Sequence, residues 1–280
     1  MTDGSGGALP NLVVIGAQKC GTSALHTYLA LHPEVSMSQP KELDFFIVER
    51  NWARGIDWYR GHFDGGRPVR GESSPNYTAH PTWAGVPERM AELIPDARLI
   101  YIVRDPIDRI AAHWVHNWTL RRESDDPAAA FRRPSTYVNR SRYMYQLGRF
   151  LEHFPKERLL VLDQSDLRDR RIPTLERVFS FLGIDPAFRH RDFEKVVHVT
   201  NRRRRISSAG ATIDGFLRRT PLGRWGRRGF VARLERLLLR GNAPRPDIRS
   251  ALPPADLELI REDAAQLRAF TGLTLAHWSV

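Results

Sequence analysis

Three short segments of this chain combine residue types that can carry group-transfer chemistry. The first is Gly16-Ala-Gln-Lys19-Cys20-Gly21-Thr22-Ser23, which follows the apolar run Leu12-Val-Val-Ile15. The apolar run reads as a short buried strand, and behind the second glycine the apolar spacing turns helical. A strand, a glycine-bounded turn and a helix N-terminus aim successive backbone N–H groups at one point, which suits a phosphate or sulfate. The glycine spacing is that of a phosphate-binding P-loop. The lysine that a nucleoside triphosphatase carries after the second glycine is absent, however, and Thr22 stands there. The cation is Lys19, inside the turn, where it can meet the bridging oxygen of a leaving group rather than β- and γ-phosphates.

The second segment is Leu99-Ile-Tyr-Ile-Val103-Arg104-Asp-Pro106-Ile-Asp-Arg109. It predicts a buried strand ending at Arg104 and a helix begun by Pro106. Ligands of open parallel sheets collect at the carboxyl ends of strands, so Arg104 and Lys19 fall on the same edge. The third is Pro40-Lys41-Glu42-Leu-Asp44-Phe45-Phe46, a carboxylate beside a compact cation. Attack by a hydroxyl needs a base within hydrogen-bond reach and a cation near developing charge. The chain has 39 arginines and four lysines, at 19, 41, 156 and 195, so two of the four lysines lie in these segments. Where arginine is the default cation, a retained lysine points to a need for a movable ammonium. Asp44 and Glu72 are the reserve candidates for the base.

Taken in chain order, the segments resemble the sulfotransferases that use 3′-phosphoadenylyl sulfate (PAPS), in particular bacterial members with a heparan-type motif set. Gly16–Ser23 is similar to their 5′-phosphosulfate loop. Arg104 through Ala112 is similar to their 3′-phosphate motif R-x-P-x-x-R-x-x-S, with Ala112 in the serine's place and His113 as a neighbouring donor. Glu42-Leu-Asp-Phe-Phe46 resembles the E-x-x-F-F run that supplies their catalytic carboxylate. Gly71-Glu-Ser73-Ser-Pro-Asn-Tyr77 resembles a family turn that often carries lysine at the place of Ser73. Leu252 to Trp278 resembles the closing helix of bacterial members.

The resemblance implies a P-loop-like three-layer α/β fold with a central parallel sheet and a helical C-terminal subregion. It implies that Lys19, Cys20, Gly21, Thr22 and Ser23 hold the donor's 5′-phosphosulfate. Arg104 and one arginine of the Arg202–Arg205 run, represented by Arg203, would hold its 3′-phosphate. Glu42 would be the base, with Lys19 and Lys41 offsetting charge on the leaving oxygen. The acceptor would be a hydroxyl of a carbohydrate, glycolipid or small metabolite. Two rival readings are a P-loop kinase, which wants lysine after Gly21 and a metal-holding acid such as Asp163, and a non-catalytic nucleic-acid binder. No groove-entering motif supports the latter, and no nucleic acid is expected.

The elements that must position these residues fit one domain, residues 11–280, behind a small polar N-terminus (1–10) expected to be disordered. Hydrophobic content of 41% with seven tryptophans supports a packed core. No signal peptide or membrane span is read, and the single Cys20 excludes an intramolecular disulfide framework. A helix N-terminus and Lys19 beside Cys20 could lower the thiol pKa, the favoured alternative being a small residue that simply fits the loop. Ten histidines show no metal-ligand spacing, so no metal is predicted. The net charge of +11 calls for an anionic partner. Much of it lies in Arg202–Arg205 and from Arg218 to Arg240. Leu234, Leu237 and Leu238, with Arg233, Arg236 and Arg240 around them, fit a basic amphipathic helix that packs on its own domain or lies on an anionic membrane. Arg121 to Ser141 reads as a long loop and Tyr143 to Leu151 as an amphipathic helix. The arginine bias suggests a bacterial, cytoplasmic protein, at most at the inner face of the membrane.

Overall fold

The computed structural model describes residues 7–120, 122–123, 126–131, 136–194, 204–206, 239–242 and 246–280. Five strands form one sheet: β1 (Leu12–Gly16), β2 (Val35–Met37), β3 (Val69–Ser73), β4 (Arg98–Val103) and β5 (Leu159–Asp163). Their order is β2-β3-β1-β4-β5 and every pairing is parallel. Strands buried on both faces need continuous apolar runs. Accordingly, all five residues of β1 and the last five of β4 are buried. The chain places β3 on one side of β1 and then crosses to β4 on the other. The crevice outside the carboxyl ends of β1 and β4 is thus the topological switch point, where such sheets bind ligands.

Helices flank this sheet: α1 (Thr22–Leu29), α2 (Gly55–Arg60), α3 (Val86–Leu93), α4 (Pro106–Thr119), α5 (Pro127–Phe131), α6 (Thr136–Asn139), α7 (Tyr143–Leu151), α8 (Gln164–Asp169) and α9 (Arg171–Leu182). The expected helical C-terminal part comprises α10 (Ile248–Ala251) and α11 (Pro254–Thr271), and α11 packs on α7. A second, smaller apolar cluster joins α4 to this part through Trp114, Phe131, Tyr137, Ile248 and Ile260.

Three expectations change. Gly71–Ser73, expected as part of a turn, is the end of β3. The polar Glu72 tolerates burial there because Tyr59, Tyr77 and Ser74 all donate to its carboxylate. The stretch from Arg121 to Ser141, expected as a loop, contains α5 and α6, whose Phe131 and Tyr137 pack edge to face. Leu239 and Arg240, expected on the basic helix, lie in strand β7 (Leu239–Asn242), antiparallel to β6 (Arg204–Ile206). The remainder of the 216–240 segment lies outside the described residues. Among the described residues no helix is long and apolar enough to cross a membrane.

Candidate active site

The loop after β1 owes its path to two glycines. A side chain at Gly16 would run into the Thr78 hydroxyl and the Tyr101 ring. Gly21 caps α1 at φ 101°, in the left-handed region that favours glycine. Ala17 N–H donates to Ile102 carbonyl at 2.8 Å, which ties the loop to β4. The first turn of a helix leaves N–H groups without intrahelical acceptors, and no side chain caps α1. Thr22 and Ser23 therefore present amides to the crevice beside Lys19.

Backbone strain gathers on the residues singled out for chemistry. Lys19 (φ 74°), Glu42 (φ 68°) and Asp44 (φ 48°) are three of the four non-glycine residues with positive φ among those described. Such conformations persist only where surrounding structure enforces them. Around Glu42 that structure is explicit. Glu42 N–H donates to Ser73 carbonyl (3.1 Å), Asp44 N–H to Ser74 Oγ (3.0 Å), and Asn51 Nδ2 to Leu43 carbonyl (2.7 Å). Phe45 and Phe46 sink into an aromatic cluster in which Phe45 stacks on Tyr59 at 4.1 Å. The buried phenylalanines hold the segment, and Glu42 stays outside with its side chain 45% exposed. Its Oε1 lies 2.6 Å from Lys41 Nζ, so base and cation are presented as a pair.

The reserve carboxylates are committed elsewhere. Glu72 is fully buried beneath its three hydroxyl donors, and burial raises its pKa to about 7. Asp44 pairs with Arg50 and accepts from Asn76 Nδ2 at 3.2 Å. Asp163, the acid a kinase would require, is held by Ser165 Oγ and lies 3.1 Å from His277 Nε2.

Arg104 follows β4, Pro106 begins α4 as expected, and Asp105 caps that helix by accepting from Asp108 N–H at 3.0 Å. Arg104 Nη2 lies 3.0 Å from Asp108 Oδ2, with the Arg104 side chain 23% exposed. Arg109 is fully buried and among the described residues its side chain makes neutral contacts alone, to Ser141 Oγ (2.5 Å), Gln18 carbonyl (3.5 Å), Tyr137 carbonyl (2.9 Å) and His113 Nδ1 (3.2 Å). It is thereby a brace under the loop. His113, committed to it, has its pKa pushed well down, first by burial and then by Arg109.

Sequence reading missed Arg140. It is 7% exposed, donates from Nη1 to Gln18 Oε1 (3.1 Å) and Asn76 Oδ1 (3.3 Å), and its buried Nε has no hydrogen-bond partner among the described residues. Burial, then Arg109, lowers its pKa to about 10. Neither Arg109 nor Arg140 forms an ion pair among the described residues. Of these two buried guanidinium groups only Arg140 feels a carboxylate, Asp44 across the bridging Asn76, so beside a loop that already collects amide dipoles they favour an anion. No pattern in the Asn139-Arg140-Ser141 run signals this; the burial of Arg140 arises only when α6 folds against the loop.

Cys20 follows the packing alternative rather than the lowered pKa. The thiol is fully buried, and desolvation outweighs the nearby arginines, raising its pKa to about 11 instead of lowering it. Lys19, Cys20, Gly21, Thr22 and Ser23 share the loop and the start of α1, Arg104 stands at the end of the adjacent strand, and Lys41–Glu42 is stitched to the end of β3. Arg203 lies outside the described residues, while Arg204 and Arg205 belong to β6. No group of three or more potential metal ligands occurs among the described residues.

The comparisons with known proteins point one way. The bifunctional heparan sulfate N-deacetylase/N-sulfotransferase 2 of Bos taurus is 31% identical over 201 residues, 64% of this chain and 22% of that protein. The corresponding enzyme 3 of Homo sapiens is 33% identical over 208 residues, 65% of this chain and 23% of that protein. The matched region thus spans under a quarter of these relatives' length. A crystal structure of a sulfotransferase from Alicyclobacillus acidocaldarius superposes with a TM-score of 0.69 at 23% identity, covering 98% of this chain and all of the other, which establishes the shared fold. The sulfotransferase domain family matches residues 9–232, most of the chain and the whole of the site just described, and the protein belongs to that family.

Proposed function

We propose that this protein transfers a sulfuryl group from PAPS to a hydroxyl of a carbohydrate, glycolipid or small metabolite. The observation that carries the reading is the gathering of positive charge around the loop after β1, where the α1 N-terminus meets Lys19, Arg109 and Arg140, all three of which act on His113. Such a site suits a ligand with several negative charges, and a nucleotide carrying a 5′-phosphosulfate and a 3′-phosphate meets that demand.

In this reading the amides of the Lys19–Ser23 loop hold the 5′-phosphosulfate. Arg104, with an arginine of the Arg202–Arg205 run, takes the 3′-phosphate and so distinguishes PAPS from ATP. Glu42 receives the acceptor's proton as the hydroxyl oxygen forms its bond to sulfur. The electron pair of the breaking S–O bond goes to the bridging oxygen, where Lys19 and Lys41 offset the charge. The products are a sulfate ester and adenosine 3′,5′-bisphosphate. Lys41 beside Glu42 also suits this division of labour, since one group accepts a proton while its neighbour steadies the opposite charge. The heparan sulfate named in the relatives' descriptions supports a carbohydrate among the acceptor classes.

Calorimetric titration with adenosine 3′,5′-bisphosphate, ADP and ATP, with and without Mg²⁺, tests the donor assignment. Tight, metal-independent binding of the bisphosphate that collapses in Arg104→Ala is the expected result. Preference for ATP with Mg²⁺ would replace this reading with a kinase.

A further inference from the structure

Tyr143, the first residue of α7, is fully buried between the two halves of the site. Its hydroxyl donates to Arg104 carbonyl at 2.7 Å and accepts from Arg104 N–H at 3.3 Å. With its one proton committed to that carbonyl, the same oxygen is the acceptor for the Cys20 thiol at 3.6 Å. One phenol therefore touches the loop after β1 and the residue that follows β4.

The C-terminal part of the chain fixes this phenol from behind. Asp263 of α11 accepts from Met144 N–H (2.9 Å) and Tyr145 N–H (2.8 Å), placing a carboxylate on the first turn of α7. The Trp278 ring packs on Tyr143 with centroids 5.7 Å apart. Its neighbours hold the strand ends directly. Ser279 N–H donates to Asp105 Oδ2, next to Arg104, and His277 Nε2 lies 3.1 Å from Asp163 Oδ2 at the end of β5.

We propose that Tyr143 is a positioning residue of the donor site, held by Asp263 and Trp278, that sets the spacing between the Lys19–Ser23 loop and Arg104. The proposal rests on the donor assignment above. A ligand gripped at two ends gains from the second anchor only when the distance between anchors matches its own span. Loosening Tyr143 thus weakens a nucleotide carrying both 3′- and 5′-phosphates. One that carries only the 5′-phosphate is held by the loop alone and is largely indifferent.

The test compares adenosine 3′,5′-bisphosphate with AMP by calorimetry on the wild type, Tyr143→Phe and Trp278→Leu, with melting temperatures recorded alongside. Losing the hydroxyl's bonds to Arg104 and Cys20 is expected to weaken the bisphosphate about tenfold and AMP by no more than about twofold. Trp278→Leu, which alters neither anchor, should shift the ratio in the same direction, and it decides the matter if Tyr143→Phe does not fold. Equal losses for both ligands, or an unchanged ratio, would overturn the positioning role and reduce Tyr143 to a packing residue. A wild type that binds AMP as tightly as the bisphosphate would instead overturn the donor assignment itself, and the positioning role with it.

Discussion

Replacing Glu72 with glutamine should flatten the pH dependence of this protein's stability. The Glu72 carboxyl is fully buried at the end of β3, and burial raises its pKa from 4.5 to about 7 against the opposing pull of its donors Ser74, Tyr59 and Tyr77. The folded state therefore keeps a proton that the unfolded chain releases above pH 4.5. The resulting stabilisation is fully present below pH 4.5 and is lost as pH rises through about 7. A displacement of this size corresponds to about 3 kcal/mol. Asp263, raised from 3.8 to about 6 by burial, slopes the same way, but it is present in both proteins and cancels in the comparison. Urea denaturation of wild type and Glu72→Gln near pH 4.5, 6 and 8 measures the difference. The wild type should lose about 3 kcal/mol more than the variant between the extremes. Parallel curves for the two proteins would refute the reasoning, because they would mean that Glu72 titrates alike in the folded and unfolded chain.

Glu42→Gln should lower turnover by roughly 10²–10⁴-fold and leave bisphosphate affinity unchanged, in line with the loss of a general base. A matching loss of affinity would move Glu42 from base to binding residue. Arg140→Met should raise the melting temperature of the unliganded protein by a few degrees while weakening the bisphosphate about tenfold, since it removes a buried charge that Asp44 offsets only in part. A fall in both quantities would mean that Arg140 is a structural brace. Cys20, with its pKa raised to about 11 and its thiol buried, should resist iodoacetamide near pH 8 until urea unfolds the chain, as followed by mass spectrometry. Labelling of the folded protein would show the loop to be open to solvent.

The parts of the site legible in the sequence were those built from local spacing. The apolar run of β1, its glycines and the helical period beyond Gly21 sufficed to place Lys19 at a loop. The run ending at Val103 with Asp105-Pro106 behind it placed Arg104. The features that stayed hidden depend on partners distant in the chain. β3 carries Arg70 and Glu72 in a strand of five residues, and its burial is made possible by Tyr59 on α2 and by Tyr77. β2 has three residues, too few to show a period. Arg140 sits in a polar, charged stretch whose α5 and α6 are short and whose packing against α4 cannot be read from composition. For Cys20 the local cues to its chemistry were all present, yet the depth of burial, which reverses their effect, is a property of the assembled fold.

The left-handed backbone at Lys19, Glu42 and Asp44 bears on how this scaffold can be engineered. An L-residue held there costs about 1–2 kcal/mol relative to glycine. A search for thermostable variants that scores folding alone would therefore be drawn to glycine or asparagine at these three positions. At Lys19 and Glu42 such a gain would erase a charge that the proposed chemistry requires, and at Asp44 it would remove the partner of Arg50. The sites where stability is most readily improved are thus the sites to hold fixed, and selection for heat resistance without selection for turnover should yield well-folded, inert protein.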